Sequence, residues 1–324
     1  MQTASVPLAT GCAGGGFRSG RVVIGLLIVL LVGCARTPLQ IDALDTDDFG
    51  SPRAVELEDV PFFPQEAYQC GPAAMATVMN HRGLEIAPDD LTPQVYLPGR
   101  RGSLQLELLT AARRQGFVAY VHDPELPDLL AQVRAGHPVL ILQNLALPRI
   151  PVWHYAVVVG FDLDAGHMLL RSGTTERESM SLRRFERTWQ LGDYWAITLH
   201  PPGELPENPQ QENALRAIAA LEQVERWTEA ETAYRQAIDL WPESLVARLG
   251  LGNSRYQLGA YADAEAQYRE ALVRHPESPA VHHNLAWSLI QQGRADAARP
   301  HAEQAAALAQ PEQSHYRGAL EALQ

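Results

Sequence analysis

The sequence contains no lysine: all 26 basic side chains are arginine, against 38 acidic ones. A GC-rich coding bias accounts for that without invoking chemistry. The net charge of −12 and the isoelectric point near 5.4 argue against a nucleic-acid partner, because a phosphate-binding surface needs a basic excess. Metal-ligand spacings and a glycine-rich phosphate loop are both missing, and the run Gly14-Gly15-Gly16 lies in the N-terminal export region. No metal and no cofactor are therefore expected. Cysteine is scarce, at Cys12, Cys34 and Cys70. The apolar run at 22–32, broken only by Gly25, falls short of the roughly 20 residues a membrane-spanning helix needs. What is present, 46% hydrophobic and 20% charged residues over 324 positions, is ordinary globular composition with room for about two domains.

Arg18 and Arg21 flank the 22–32 run, which fits the apolar core of a signal peptide. It ends in Leu31-Val32-Gly33-Cys34, which resembles a bacterial lipobox. The resemblance implies cleavage after Gly33 and acylation of Cys34, with several acyl chains at about 0.8 kcal/mol per buried methylene holding the protein on a membrane. Ala35 and Arg36 follow with no aspartate, a pattern that in Gram-negative lipoproteins implies the outer membrane, facing the periplasm. The expected order is a signal peptide at 1–33, then the lipidated cysteine and a flexible tether at 34–58, rich in aspartate and lacking a sustained apolar period. Cys70 is then the one free thiol of the mature protein. Without a disulfide partner in an oxidising compartment, it needs deep burial or chemistry to account for it.

The stretch Cys70-Gly71-Pro72-Ala73-Ala74-Met75 heads a domain expected at 59–200. Pro72 suits the first turn of a helix, which runs over 73–82 and is capped by Gly83. Cys70 thus stands at a helix N-terminus, where the dipole is expected to lower the thiol pKa. Ser103 reads as the N-cap of a helix over 104–115. A strand at 117–121, a helix at 127–135 and strands at 138–142 and 154–161 follow. A hairpin turn at 162–166, a strand at 167–171, a helix at 182–189 and a strand at 194–199 complete the pattern. Helices come first and strands later, which predicts an α+β fold.

A cysteine nucleophile needs a base, usually distant in sequence. Of the 11 histidines, most border turns, helix ends or the C-terminal third. His154 differs: it opens the most apolar strand, directly after Trp153. Position alone leaves open a satisfied core histidine. Gln65, Cys70-Gly71-Pro72-Ala73-Ala74 and His154-Tyr155-Ala156-Val157-Val158-Val159-Gly160-Phe161-Asp162 together resemble the papain-like, bacteriocin-processing cysteine peptidases, which cut leader peptides after a double glycine. The match spans 60–199. It implies that Cys70 attacks the scissile carbonyl, that His154 moves the proton, and that the Gln65 amide and the Cys70 N–H stabilise the oxyanion. Gln65 stands one residue nearer the cysteine than is usual in these enzymes. The third position departs further: Ser172 stands where an Asp or Asn is usual, with Asp162 as the alternative. A serine can orient an imidazole but cannot hold an imidazolium by charge. Two rival readings therefore stand beside a peptidase: an inactive peptidase-like binding module, and a Cys-His acyl or amide transferase.

A proline-rich linker is expected at 201–212, with Pro201, Pro202, Pro206 and Pro209. Beyond it, 213–324 is alanine-rich and self-similar. Ala230, Ala264 and Ala298, as well as Tyr234 and Tyr268, Leu251 and Leu285, and Pro242 and Pro276, recur at the spacing of 34 that marks tetratricopeptide repeats. The whole then reads as an α+β papain-like cysteine peptidase domain followed by an all-α repeat domain. Its partners are a peptide or protein substrate, a protein partner on the repeats, and a membrane through the lipid.

Overall fold

The computed structural model describes residues 38–44, 50–64, 69–100 and 102–324. Cys34 and Gln65, proposed from sequence for lipidation and the oxyanion, lie outside them. In chain order the first elements are β1 (Ala54–Glu56), α1 (Cys70–His81), α2 (Pro88–Val95), β2 (Tyr96–Leu97), β3 (Gly102–Ser103), α3 (Gln105–Arg114) and β4 (Val118–Val121). Next come α4 (Leu126–Arg134), β5 (Val139–Asn144), β6 (Trp153–Asp162), β7 (His167–Ser172), β8 (Thr175–Ser181), α5 (Leu182–Gln190) and β9 (Ala196–His200). The helices α6 (Gln211–Glu222), α7 (Trp227–Leu240), α8 (Leu245–Gln257), α9 (Tyr261–Arg274), α10 (Pro279–Gln291), α11 (Ala295–Leu308) and α12 (Gly318–Glu321) follow.

An antiparallel sheet in the order β4-β9-β5-β6-β7-β8 carries the first half of the chain. Its central strand β5 is buried along its whole length, and β6 from Tyr155 to Phe161, because both sheet faces are covered. On one face α1, α2 and α3 pack Met75, Met79, Leu91 and Leu108 against Leu140, Tyr155, Val157 and Val159. On the other, α4 and α5 pack Leu129, Leu130, Phe185 and Trp189 against Ile141, Ala156 and Val158. Burial on both faces is why the strand at His154 reads as one apolar run rather than as an alternation.

The segment read as a tether up to 58 is ordered at its end, which corrects that expectation. Ala54–Glu56 pairs antiparallel with Asp162–Gly160 of β6, continuing the edge that β5 leaves. Gly160 makes the close approach possible, since a Cβ there would stand 2.4 Å from the Val55 carbonyl oxygen. Three residues, Ala54-Val55-Glu56, carry too little pattern to be read as a strand. Ser103 is likewise no N-cap: it belongs to β3, and Leu104 precedes the helix.

The helical half is not a detached appendage. Val118 and Tyr120 of β4 share a core with Ala214, Leu215, Ile218 and Leu221 of α6 and with Tyr234 of α7. The connecting segment is also tied down. Glu207 exchanges two hydrogen bonds with the Gln132 side chain, at 2.9 and 3.0 Å, and the Gln210 amide donates to the Tyr120 hydroxyl at 3.0 Å. Between paired helices the recurring tyrosines fill gaps that only glycine leaves. A Cβ on Gly250 would lie 2.2 Å from the Tyr234 ring, and one on Gly252 would lie 2.4 Å from the Tyr268 ring.

Candidate active site

Cys70 is the first residue of α1, with Pro72 in the first turn, where its missing N–H costs no intrahelical bond. Residues Gly71 to Met79 are all buried, so the helix is held by packing around its full circumference rather than along one stripe. It stops at Arg82, and Gly83, at φ +88°, turns the chain away. The N-terminal end is seated by contact: a Cβ on Gly71 would stand 2.3 Å from the Ser103 hydroxyl oxygen and 2.6 Å from its Cβ. The Ser103 carbonyl in turn accepts from the Tyr155 hydroxyl at 3.3 Å, which links β3 to β6 at the same place.

Cys70 is half-buried and is a free thiol. Its sulfur lies beside the backbone amide of Tyr155, the residue after His154, and beside the amides of Gly71 and Cys70 itself. Burial pushes the thiol pKa up, and these amides only partly oppose the shift. The thiolate expected from the helix dipole alone is therefore not the resting form: loss of water outweighs the end of the helix.

His154 begins the buried part of β6, opposite Gln143 of β5. One ring nitrogen, Nε2, lies 3.0 Å from the Ser172 hydroxyl at the end of β7, which leaves Nδ1 for another partner. Burial lowers the imidazole pKa below the ordinary 6.5, and the charge of Glu178 raises it in part. Both shifts favour the uncharged forms, a neutral imidazole and a protonated thiol, so a thiolate at this site would need a base to form.

Of the two sequence-derived candidates for the third position, Ser172 touches His154. Asp162 closes the β6–β7 turn by accepting from the Ala165 amide at 2.8 Å, eight residues along β6 from His154 and so about 26 Å away. The carboxylate that acts on His154 is one the sequence reading missed. Glu178 of β8 pairs with Leu170 of β7, and Ser172 is two residues further on that strand, so both project on the same side despite the bulge between Leu170 and Ser172. Orientation by a hydroxyl and charge from a neighbouring strand are here divided between two residues.

These two contributions separate by pH. Glu178 raises the His154 pKa, so Glu178→Gln is expected to move the acid limb of activity to lower pH. The rate on the plateau should fall about two- to fivefold, the worth of a solvent-screened charge pair. Ser172→Ala removes a neutral partner and is expected to lower the rate about two- to tenfold with the limb in place. A pH–rate profile of the two variants checks this, and an unmoved limb in Glu178→Gln contradicts it.

Another acid–histidine–hydroxyl chain lies elsewhere, with Asp128 at 2.7 Å from His122 and His122 at 2.8 Å from Thr198. Thr198 is fully buried, so this chain cannot meet a substrate and serves the core. Among the described residues no group of three or more His, Cys, Asp or Glu could hold a metal, and no helix is long and apolar enough to cross a membrane. On the repeats, Glu222, Trp227, Asn253, Tyr256, Tyr268 and Trp287 line a cavity of about 450 Å³, with the Tyr268 hydroxyl donating to the Asn253 side chain at 2.8 Å.

Residues 57–195 match the Peptidase_C39 like family, and residues 215–279 and 249–314 match the tetratricopeptide repeat. Among solved structures, a C39-like protein of Bacillus anthracis is 18% identical over 48% of this chain and 100% of its own, with a TM-score of 0.39. The peptidase domain of Streptococcus ComA, a bifunctional ABC transporter of a quorum-sensing pathway, is 24% identical over 44% of this chain and 98% of its own, at 0.37. The Yersinia enterocolitica type III secretion translocator chaperone SycD is 24% identical over 35% of this chain and 90% of its own, at 0.33. No curated protein matches the chain.

Proposed function

We propose that this chain, which joins a Peptidase_C39-like domain to tetratricopeptide repeats, is a cysteine peptidase that hydrolyses peptide bonds and binds a protein partner on its repeats. One observation carries the reading. The Cys70 thiol stands at the start of a buried helix beside the amide that follows His154, and that histidine is held by Ser172. In the proposed reaction His154 takes the thiol proton as sulfur attacks the scissile carbonyl. The C–N bond then breaks, and the same proton passes to the leaving amine. Water next adds to the thioester with His154 again as base, releasing the acid and restoring the thiol. The Cys70 N–H and the Gln65 side chain are the proposed oxyanion donors, a role whose loss typically costs about 10²- to 10³-fold.

The raised thiol pKa, and a hydroxyl rather than a carboxylate bonded to the imidazole, are what favour the rival of an inactive binding module. An acyl or amide transferase shares the first half of the chemistry. Both rivals are tested on a set of synthetic peptides with and without an added primary amine. Hydrolysis by the wild type and none by Cys70→Ala supports the peptidase. Amide formation that outpaces hydrolysis points to the transferase, and no turnover of any peptide to the module.

We infer also that Cys34 carries the lipid anchor, on the strength of Leu31-Val32-Gly33-Cys34 behind the apolar run at 22–32. The proposed location is a bacterial outer membrane, facing the periplasm. Cys34→Ser should then leave the protein in the soluble fraction of lysed cells, and continued tight retention on membranes overturns the anchor.

A further inference from the structure

Leu145, Leu147, Ile150, Val152 and Trp153 are all exposed large apolar side chains, gathered between positions 145 and 153 and ending at the residue before His154. Ile150 is 72% and Leu147 68% exposed. The segment is not a loose loop. It continues the β5–β6 ladder beyond the pair Asn144–Trp153. The Leu145 amide donates to the Val152 carbonyl at 2.9 Å, the Ile150 amide donates to the Leu147 carbonyl at 3.0 Å, and Leu147 and Ile150 form a bridge at the tip. The buried Asn144 side chain accepts from the amides of Ala146 and Val152, at 3.1 and 3.0 Å. Pro148 and Pro151 restrict the backbone on either side of Arg149. A folded hairpin thus holds Leu145, Leu147, Ile150 and Val152 exposed to water on the segment that leads into the candidate base, with the exposed Trp153 directly before His154. Such a surface marks a binding site more often than an accident of folding.

We propose that this hairpin is the substrate-binding wall of the site and takes aliphatic or aromatic side chains of the peptide that flank the scissile bond. The proposal rests on the peptidase reading for where that bond lies, but the binding it describes needs no turnover. Continuity with the site supports a peptide as the occupant: the exposed Val152 and Trp153 run directly into His154. Charge supports it over a bilayer surface. Arg149 is the only charged residue between 145 and 153, and the chain's net charge of −12 opposes docking on an anionic membrane.

The experiment uses the full chain carrying Cys70→Ala, so that peptides bind without being cleaved. Two fluorescein-labelled decapeptides of equal charge are compared by anisotropy, one with four leucine or phenylalanine residues and one with serine in their place. The apolar peptide is expected to bind at least tenfold more tightly. Leu147→Ser with Ile150→Ser should remove about tenfold or more of that preference, the scale of lost apolar contacts in a recognition pocket. Iodoacetamide labelling of Cys70 in the same double variant with the cysteine present checks that the end of α1 is still seated, since that reaction uses no peptide. Equal affinity for the two peptides, or an unchanged preference in the double variant, overturns the proposal. So does partition of the protein onto phosphatidylcholine vesicles through this hairpin in place of peptide binding. Selective peptide binding with no cleavage by the wild type leaves the wall in place and sinks the peptidase reading instead.

Discussion

Replacing His154 by alanine is expected to lower peptide cleavage about 10²- to 10⁴-fold at neutral pH, the usual range for a positioned general base. The size follows from the sulfur. Burial holds the Cys70 thiol pKa up, so little thiolate exists near neutrality without a partner to take the proton. The wild type should hold its rate over a broad range. Activity is lost as pH falls through the His154 pKa, which burial keeps below 6.5, because the imidazole is then already protonated and cannot accept. The variant should behave differently: its residual rate climbs as pH rises through the thiol pKa, which lies above 9.0. The fold should survive, since His154 is only half-buried and its ring is hydrogen-bonded to the Ser172 hydroxyl. Cleavage by purified wild type and variant across pH, with circular dichroism to check folding, measures this.

The second large effect concerns a residue with no reacting atom. Gly71→Ala would drive a Cβ to 2.3 Å from the Ser103 hydroxyl oxygen and 2.6 Å from the Ser103 Cβ, separations that real structures do not hold. Neither side yields easily. Gly71 is buried in the first turn of α1, and Ser103 sits in β3, paired with Tyr96, with its carbonyl engaged by Tyr155. Overpacking of this kind costs about 1–3 kcal/mol. A shift of about 1 Å at the end of the helix would displace the sulfur from His154 and cost about 10²-fold in rate. Adding Ser103→Gly should restore much of both, because the clash is with that side chain. Urea denaturation and cleavage by the two single variants and the double variant test it as a cycle. Equal loss in Gly71→Ala with and without Ser103→Gly contradicts the contact as the cause.

How much of this was legible in the sequence depended on whether a pattern repeats or a contact is made at a distance. The repeats declare themselves because buried small and aromatic residues of successive helix pairs, Ala230, Ala264 and Ala298 with Tyr234 and Tyr268, recur at the spacing of 34. The buried strand from His154 declares itself because both faces of β6 are covered. By contrast β8, Thr-Glu-Arg-Glu-Ser-Met-Ser, buries only Met180 fully and lacks an apolar alternation, so neither the strand nor Glu178 could be seen. The strand Ala54–Glu56 depends on the missing side chain of Gly160, more than a hundred residues away. The choice between Ser172 and Asp162 likewise needed the register of β6 and β7. The thiol's raised pKa was beyond reach for a related reason: the dipole at a helix start is local and visible in sequence, whereas loss of water is a property of everything packed around it.

The central claim is that Cys70 and His154 act as one unit, a protonated thiol with a neutral base. Iodoacetamide alkylation of Cys70 in the full-length protein, followed from pH 5 to pH 10 in wild type and His154→Ala, tests it most directly. The wild type should alkylate faster than free cysteine near neutrality, with a rate that falls below the His154 pKa. His154→Ala should lose that advantage and recover only at alkaline pH. A Cys70 that alkylates no faster than free cysteine in the wild type, together with an identical profile in His154→Ala, would contradict the account.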